Sequence, residues 1–361
     1  MQHDYLSNEQ KQRFFEDGFI VIKDVIPRPF IQTARRLIEG ALPSDKRVLL
    51  VPRDLATHPD ILRLFNDTLL KTILETDLGP FPEVISSQVA VTPAFDAMGG
   101  TPSPHVDGSW SGPIPESAND IEAGRGRPLD PGPYFGENED RRGSNDGQLW
   151  QDPDRTISLG SYSALVGVAL NDQSVPGRGQ FAVLKGMHEE VEAAFRFQRD
   201  AGGVIGPEGP GWPRIKVTES GRTYLNGLPE SVRAHLQMKR EHALPIDKWD
   251  WPELTPVLLD EGDAVIALHS CPHTPTPNHS GHPRMNIYFR IRRLREGNPH
   301  EGSRRLGHGV SDHLDRGYYG QFLDYPSTYD PWKTSVENLC DHWSEWQGMH
   351  EIVAAGSLTT S

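Results

Sequence analysis

Cysteine is nearly missing from this chain: 361 residues contain only Cys271 and Cys340. Two thiols cannot build a disulfide framework, so a reducing cytoplasm is the expected compartment. Long apolar runs are missing as well. No stretch approaches the ~18 residues a membrane span needs, and Met1-Gln2-His3-Asp4 opens no secretory leader, so no membrane association is expected. Positive charge is in deficit, with 36 Lys and Arg against 50 Asp and Glu and a formal net charge of −14. That balance argues against nucleic-acid partners, which are held by basic surface. The basic residues Arg290, Arg292, Arg293, Arg295, Arg304 and Arg305 do gather in one stretch. It reads as a solvated strand edge or salt-bridging face, with an anionic ligand as the alternative. Internal repeats are absent.

What remains is rich in turns. Gly 35 and Pro 31, with 36% hydrophobic residues, suit a loop-rich β protein with a sizeable core, expected as a single domain over residues 1–361. Ser7-Asn8-Glu9-Gln10 reads as a capping box opening a helix that stops before Gly18. Phe19 to Ile26 is an apolar strand, and Pro27 leads into an amphipathic helix to about Leu42. Residues 61–77 look helical, and Val84 to Val91 alternates as a strand. Further strands are expected over 156–170, 179–184, 263–269 and 285–292. A helix over about 332–354 would present Val336, Leu339, Trp343, Trp346 and Met349 as a packing face.

Two blocks, about 111–156 and 200–255, show no periodicity, and long structureless stretches in compact domains are uncommon and usually functional. The first starts four residues after Asp107 and reads as an insertion near a site mouth or as a surface excursion. The glycines of the second, around Gly202-Gly203 and Gly209-Pro210-Gly211, lack the strand-turn-helix setting of a phosphate loop. The expected fold class is mainly β with helical covering: a double-sheet jelly roll over 84–293, preceded by helices and a strand over 7–82 and followed by an extension over 294–361.

One motif carries chemistry. His105-Val106-Asp107 places two potential metal ligands at i and i+2, on the same side of an extended segment, with Val106 turned the other way. Fifteen histidines and fifty acidic residues produce such tripeptides by chance. Specificity comes from a second segment, Gly262-Asp263 followed by an apolar strand, then His273, Asn278-His279-Ser280 and Pro283-Arg284. Adding His273 to His105 and Asp107 gives two histidines and one carboxylate on one face of a non-haem iron(II), with about three coordination positions left open. A 2-oxo acid chelating there would bury its far carboxylate, which needs a partner. Arg284, eleven residues beyond His273, offers a guanidinium that matches a carboxylate two-fold.

These segments, with Phe15-Glu16-Asp17-Gly18-Phe19-Ile20-Val21-Ile22, Leu170-Asn171-Asp172 through Phe181, and Lys185-Gly186-Met187-His188, resemble the phytanoyl-CoA dioxygenase family of iron(II)/2-oxoglutarate oxygenases over roughly residues 7–293. The resemblance implies a double-stranded β-helix of the cupin-like kind, with Fe(II) as metal, 2-oxoglutarate and O2 as cosubstrates, and ascorbate as a stimulant. It implies His105, Asp107 and His273 as catalytic metal ligands and Arg284 as the cosubstrate anchor. Ser280 would be a second donor to that carboxylate, and Gln88 either a polar contact to cosubstrate or substrate or an ordinary polar strand residue; Trp110, three residues after Asp107, reads as a wall of the substrate pocket or as packing under the insertion. The implied reaction couples decarboxylation of 2-oxoglutarate to succinate and CO2 with oxidation of a C–H bond, hydroxylation being expected and desaturation, ring closure or epoxidation its variants. The two irregular blocks remodel the pocket, so the expected substrate is a small-molecule metabolite and not the family's branched acyl thioester; the expected assembly is a monomer or homodimer.

Four histidines crowd the second segment. His273 alone has the spacing to Asn278 and Arg284 that the family pattern requires; His269 falls four residues early, and His279 and His282 read as loop residues. Cys271 shares strand parity with His273 but reads as a small buried side chain. Two rivals stand beside the oxygenase: a non-catalytic jelly-roll binding protein, and a zinc hydrolase. The best support for the latter, His188-Glu189-Glu190-Val191-Glu192, lacks the second histidine of H-E-x-x-H.

Overall fold

A computed structural model describes residues 5–42, 55–79, 84, 87–95, 104–106, 110–111, 157–158, 164–201, 210–212, 215–216, 223–224, 228–240, 251–291 and 347–357. Its helices are α1 (Asn8–Asp17), α2 (Arg28–Ala41), α3 (Pro59–Asn66), α4 (Leu69–Leu78), α5 (His188–Ala201), α6 (Glu230–Met238) and α7 (His350–Ser357). The strands are β1 (Phe19–Ile22), β2 (Gln88–Thr92), β3 (Trp110–Ser111), β4 (Ile157–Ser158), β5 (Ala164–Ala169), β6 (Phe181–Leu184), β7 (Ile215–Lys216), β8 (Thr223–Tyr224), β9 (Leu254–Pro256), β10 (Ala264–Leu268), β11 (His273–Pro275) and β12 (Arg284–Ile291).

The chain starts as its capping signals dictate. Ser7 Oγ accepts from the Gln10 N–H at 3.2 Å, and Gln10 Oε1 accepts from the Ser7 N–H at 2.8 Å. Gly18, at φ 77°, ends α1, and β1 begins one residue later. Buried Asp77 on α4 accepts from the Leu6 N–H and pairs with Lys11 Nζ at 2.8 Å, which ties α4 to α1. A 3-10 turn, Gln347–Met349, packs against α4, and α7 packs against α1. Of the helix expected over 332–354, the described part is this 3-10 turn and α7, which runs on to Ser357. Residues 332–346, with Val336, Leu339, Trp343 and Trp346, lie outside the described residues.

Five strands form an antiparallel sheet in the order β1-β10-β5-β12-β2, and three form a second, β11-β6-β9. Register fixes the two faces of the large sheet. Ile20, Ile266, Val166, Phe289 and Ile287 share one face, and all are buried. This face packs under the N-terminal helices, where the rings of Phe65 and Phe289 lie 5.4 Å apart. Each such side chain removed from water contributes about 1.5–3 kcal/mol. The opposite face carries Thr92, Arg284, Asn286, Tyr288, Gln88, Arg290 and Gly167. It looks toward the small sheet: the Phe181 and Tyr288 rings are 6.0 Å apart, and Arg284 Nε donates to the Gly179 carbonyl at 2.9 Å.

The second block read as irregular contains more order than its sequence signals. Within 200–255 the structure forms the β7–β8 pair and α6, which buries Val232 and Leu236, while Leu254 already begins β9 at the edge of the small sheet. Proline and glycine masked these short elements. The 111–156 block is closed at its base by β3 pairing with β4, Trp110 opposite Ser158; its interior lies outside the described residues.

Candidate active site

The small sheet brings His105 and His273 together. Their backbones exchange two hydrogen bonds, His105 N–H to His273 O at 3.0 Å and the reverse at 2.9 Å. Being directly opposite each other, their side chains share a face, and the two imidazole rings lie 4.9 Å apart. Val106 is turned away and buried, as strand alternation requires. Asp107 lies outside the described residues. Among the described residues no three His, Cys, Asp or Glu side chains cluster, so none of them substitutes for that carboxylate.

His273 is oriented from behind. Its Nδ1 lies 3.1 Å from the Cys271 carbonyl. That contact places the ring proton on Nδ1 and the lone pair on Nε2, the tautomer a metal ligand needs. The ring also rests 5.0 Å from that of Phe181. The Cys271 thiol plays no part: it is fully buried, and burial pushes its pKa up. The backbone carbonyl of Cys271 is what the site uses.

Arg284 begins β12 with 4% exposure. Its Nε donates to the Gly179 carbonyl at 2.9 Å and its Nη1 to the Tyr288 hydroxyl at 3.4 Å. Among the described residues no carboxylate pairs with this guanidinium. A buried cation without a counterion is expensive, so an anionic ligand is the partner its chemistry calls for. The residues present thus fit both halves of a chelated oxo acid: imidazoles for the metal, and a guanidinium for the distal carboxylate.

The loop between β11 and β12 is organised by Asn278, which is fully buried. Its Nδ2 donates to the Thr92 and His282 carbonyls at 3.3 and 2.8 Å, and its Oδ1 accepts from the Ser280 N–H and Oγ at 3.0 and 2.7 Å. Ser280 Oγ also lies 2.9 Å from the His282 carbonyl, so its hydroxyl is engaged within its own loop. Gln88, opposite Tyr288 in β2, shares the inner face with Arg284 and accepts from Arg290 Nη1 at 3.0 Å. Trp110 lies on β3, and its side chain is outside what the structure describes.

The competing histidines are elsewhere. His279 and His282 are exposed, and His269 is buried with its ring 6.4 Å from Phe195. His188 is a packing residue: its Nε2 lies 2.9 Å from the Phe15 carbonyl, and burial lowers its pKa to about 4. A cleft of about 1040 Å³ beside α2 contains none of His105, His273 or Arg284, and its Arg35 and Arg178 are already paired with Glu261 and Asp172.

Sequence reasoning missed Tyr288, Asn286, Phe181 and Gly179. A signal for the first two was present. In Arg284-Met285-Asn286-Ile287-Tyr288-Phe289-Arg290 every second residue is polar inside an apolar strand, the mark of one face lining a polar space.

No family model matches the chain, and no curated protein sequence does. Among solved structures, HygX from Streptomyces hygroscopicus, solved with nickel and 2-oxoglutarate bound, is similar over 80% of this chain and 88% of its own at 16% identity, with a TM-score of 0.42. SnoK, a non-heme alpha ketoglutarate dependent carbocyclase from nogalamycin biosynthesis, covers 80% of this chain and 84% of its own at 14% identity and a TM-score of 0.41. EctD from S. alaskensis, solved with 2-oxoglutarate and 5-hydroxyectoine, covers 81% and 79% at 16% identity and a TM-score of 0.37. Likeness at this level assigns no reaction, and the chemistry rests on the residues of the site.

Proposed function

We propose that this protein is an iron(II)/2-oxoglutarate-dependent oxygenase that oxidises, by hydroxylation, a C–H bond of a small-molecule metabolite within a double-stranded β-helix. The observation that carries the reading is Arg284. A guanidinium with 4% exposure and no carboxylate among the described residues faces the same inter-sheet space as the paired imidazoles of His105 and His273.

His105, Asp107 and His273 would hold the metal, leaving open positions for the keto oxygen and C1 carboxylate of 2-oxoglutarate. Iron bound there would supply oxygen activation coupled to decarboxylation of the oxo acid to succinate and CO2. The chain's own work is positional. The Cys271 carbonyl fixes the His273 tautomer and ring, and the Gly179 carbonyl aims Arg284. Arg284 takes the C5 carboxylate in place of a protein counterion, and the Phe181 ring keeps water from the flank of His273. As the carboxylate ligand, Asp107 would fill the position that halide transfer needs vacant, which favours oxygen over halogen insertion.

Incubation with iron(II), ascorbate, 2-oxoglutarate and a metabolite library, read as succinate and as product mass, tests this reading. Substrate-dependent succinate that disappears in Asp107→Ala is expected. Full succinate formation by Asp107→Ala would remove that residue from the metal. No succinate with any metabolite, from protein that binds 2-oxoglutarate, would favour the non-catalytic binding protein.

A further inference from the structure

Tyr288 lies across the inner face of β12 in a space made for it. Gly167, its partner on β5, leaves room for the ring: a Cβ there would stand 2.8 Å from Tyr288 Cε1. Phe181 borders the ring from the small sheet. The hydroxyl is held from two sides, accepting from Asn286 Nδ2 at 2.9 Å and from Arg284 Nη1 at 3.4 Å. The Asn286 amide is itself fixed, because Gln173 Nε2 donates to its Oδ1 at 2.6 Å and turns the Nδ2 group toward Tyr288. Both donors point at the phenolic oxygen, so its own hydrogen must be directed elsewhere. Among the described residues nothing accepts that hydrogen.

We infer that Tyr288 is the second donor to the carboxylate that Arg284 pairs with, and thereby a determinant of the preference for a dicarboxylic oxo acid. The inference rests on the proposed 2-oxoglutarate site and deepens it. A guanidinium and a hydroxyl side by side, with Asn286 polarising the phenol by donating to it, form an anion-binding pair. A neutral ligand tail would leave the guanidinium buried without an anion and the phenolic hydrogen without an acceptor.

The test compares two oxo acids by anaerobic calorimetry on the iron(II)-loaded protein. 2-Oxoglutarate and 2-oxopentanoate share the chelating head and chain length, but a methyl replaces the distal carboxylate in the second. Tyr288→Phe removes one hydroxyl. It should weaken 2-oxoglutarate by roughly tenfold or more, the scale of one hydrogen bond to a charged group, and leave 2-oxopentanoate within about twofold. Should that variant fail to fold, as binding of neither acid would reveal, Gly167→Ala displaces the ring while keeping the hydroxyl and should give the same selective loss. Equal weakening of both acids, or an unchanged ratio, would overturn the role given to Tyr288. A wild-type protein that binds 2-oxopentanoate as tightly as 2-oxoglutarate would instead overturn the Arg284 site beneath it.

Discussion

The carbonyl of Gly179 receives the Nε hydrogen of Arg284 at 2.9 Å, across the gap between the two sheets. Gly179 sits at φ 73°, and a Cβ there would approach Asn278 Cβ at 3.1 Å and Arg284 Cβ at 3.4 Å. One residue therefore sets both the loop and the direction of the guanidinium. Gly179→Ala should cost about 1–2 kcal/mol of stability from the left-handed backbone and weaken 2-oxoglutarate binding as well. Thermal melts and oxo-acid titration check the pair; a variant with wild-type affinity would deny the carbonyl its aiming role.

Arg284→Met separates function from stability. Metal-free protein carries this buried charge without a carboxylate partner among the described residues, and an apolar replacement of similar volume at such a site is often neutral or stabilising. The melting temperature should hold or rise while 2-oxoglutarate affinity falls by about 3 kcal/mol, roughly 100-fold or more. A sharp fall in melting temperature would mean that a carboxylate of the protein pairs with the arginine.

His105→Ala removes an imidazole but not the backbone rung to His273. His105 is only partly buried, so the metal-free protein should keep its melting temperature to within a few degrees. Iron affinity, measured by competition with a coloured chelator, should fall at least tenfold. Unchanged affinity would take His105 out of the site.

His188 gives a pH signature unrelated to the metal. Burial holds its folded pKa near 4 against an ordinary 6.5. Between those values the unfolded chain binds a proton that the native one refuses. Its contribution is therefore intact above about pH 6.5 and is lost as pH falls toward 4, by roughly 3 kcal/mol in all. His188→Gln should flatten this part of the stability profile; an unchanged slope in urea melts between pH 4 and 6.5 would contradict the assignment.

The sequence displayed those features that one segment contains by itself. The Ser7–Gln10 box and the Gly18 stop are local and appear as read. The strands around 264–268 and 284–291 stand within a residue of where alternation put them. His273 and Arg284 stood out through the spacing that the family resemblance supplies, one after the Gly262-Asp263 strand and the other at the head of the next. What needed the third dimension stayed hidden. Gly179 faces Arg284, and Gly167 faces Tyr288, only through pairings between segments over a hundred residues apart. The histidine in Lys185-Gly186-Met187-His188 looked like part of a motif, yet it packs against Gly18 and the end of α1. Nothing in its neighbours announces that contact.

The central claim is that His105, Asp107, His273 and Arg284 together seat a chelated 2-oxo acid on iron(II). Anaerobic titration of the iron(II)-loaded protein with 2-oxoglutarate, followed in the visible spectrum, reads this chelation through the metal-to-ligand charge-transfer band of the bound keto acid. The account predicts a saturable band with one oxo acid per chain, absent in His273→Ala and shifted to much higher concentration in Arg284→Met. Iron(II)-loaded wild-type protein that develops no band at saturating 2-oxoglutarate would contradict it.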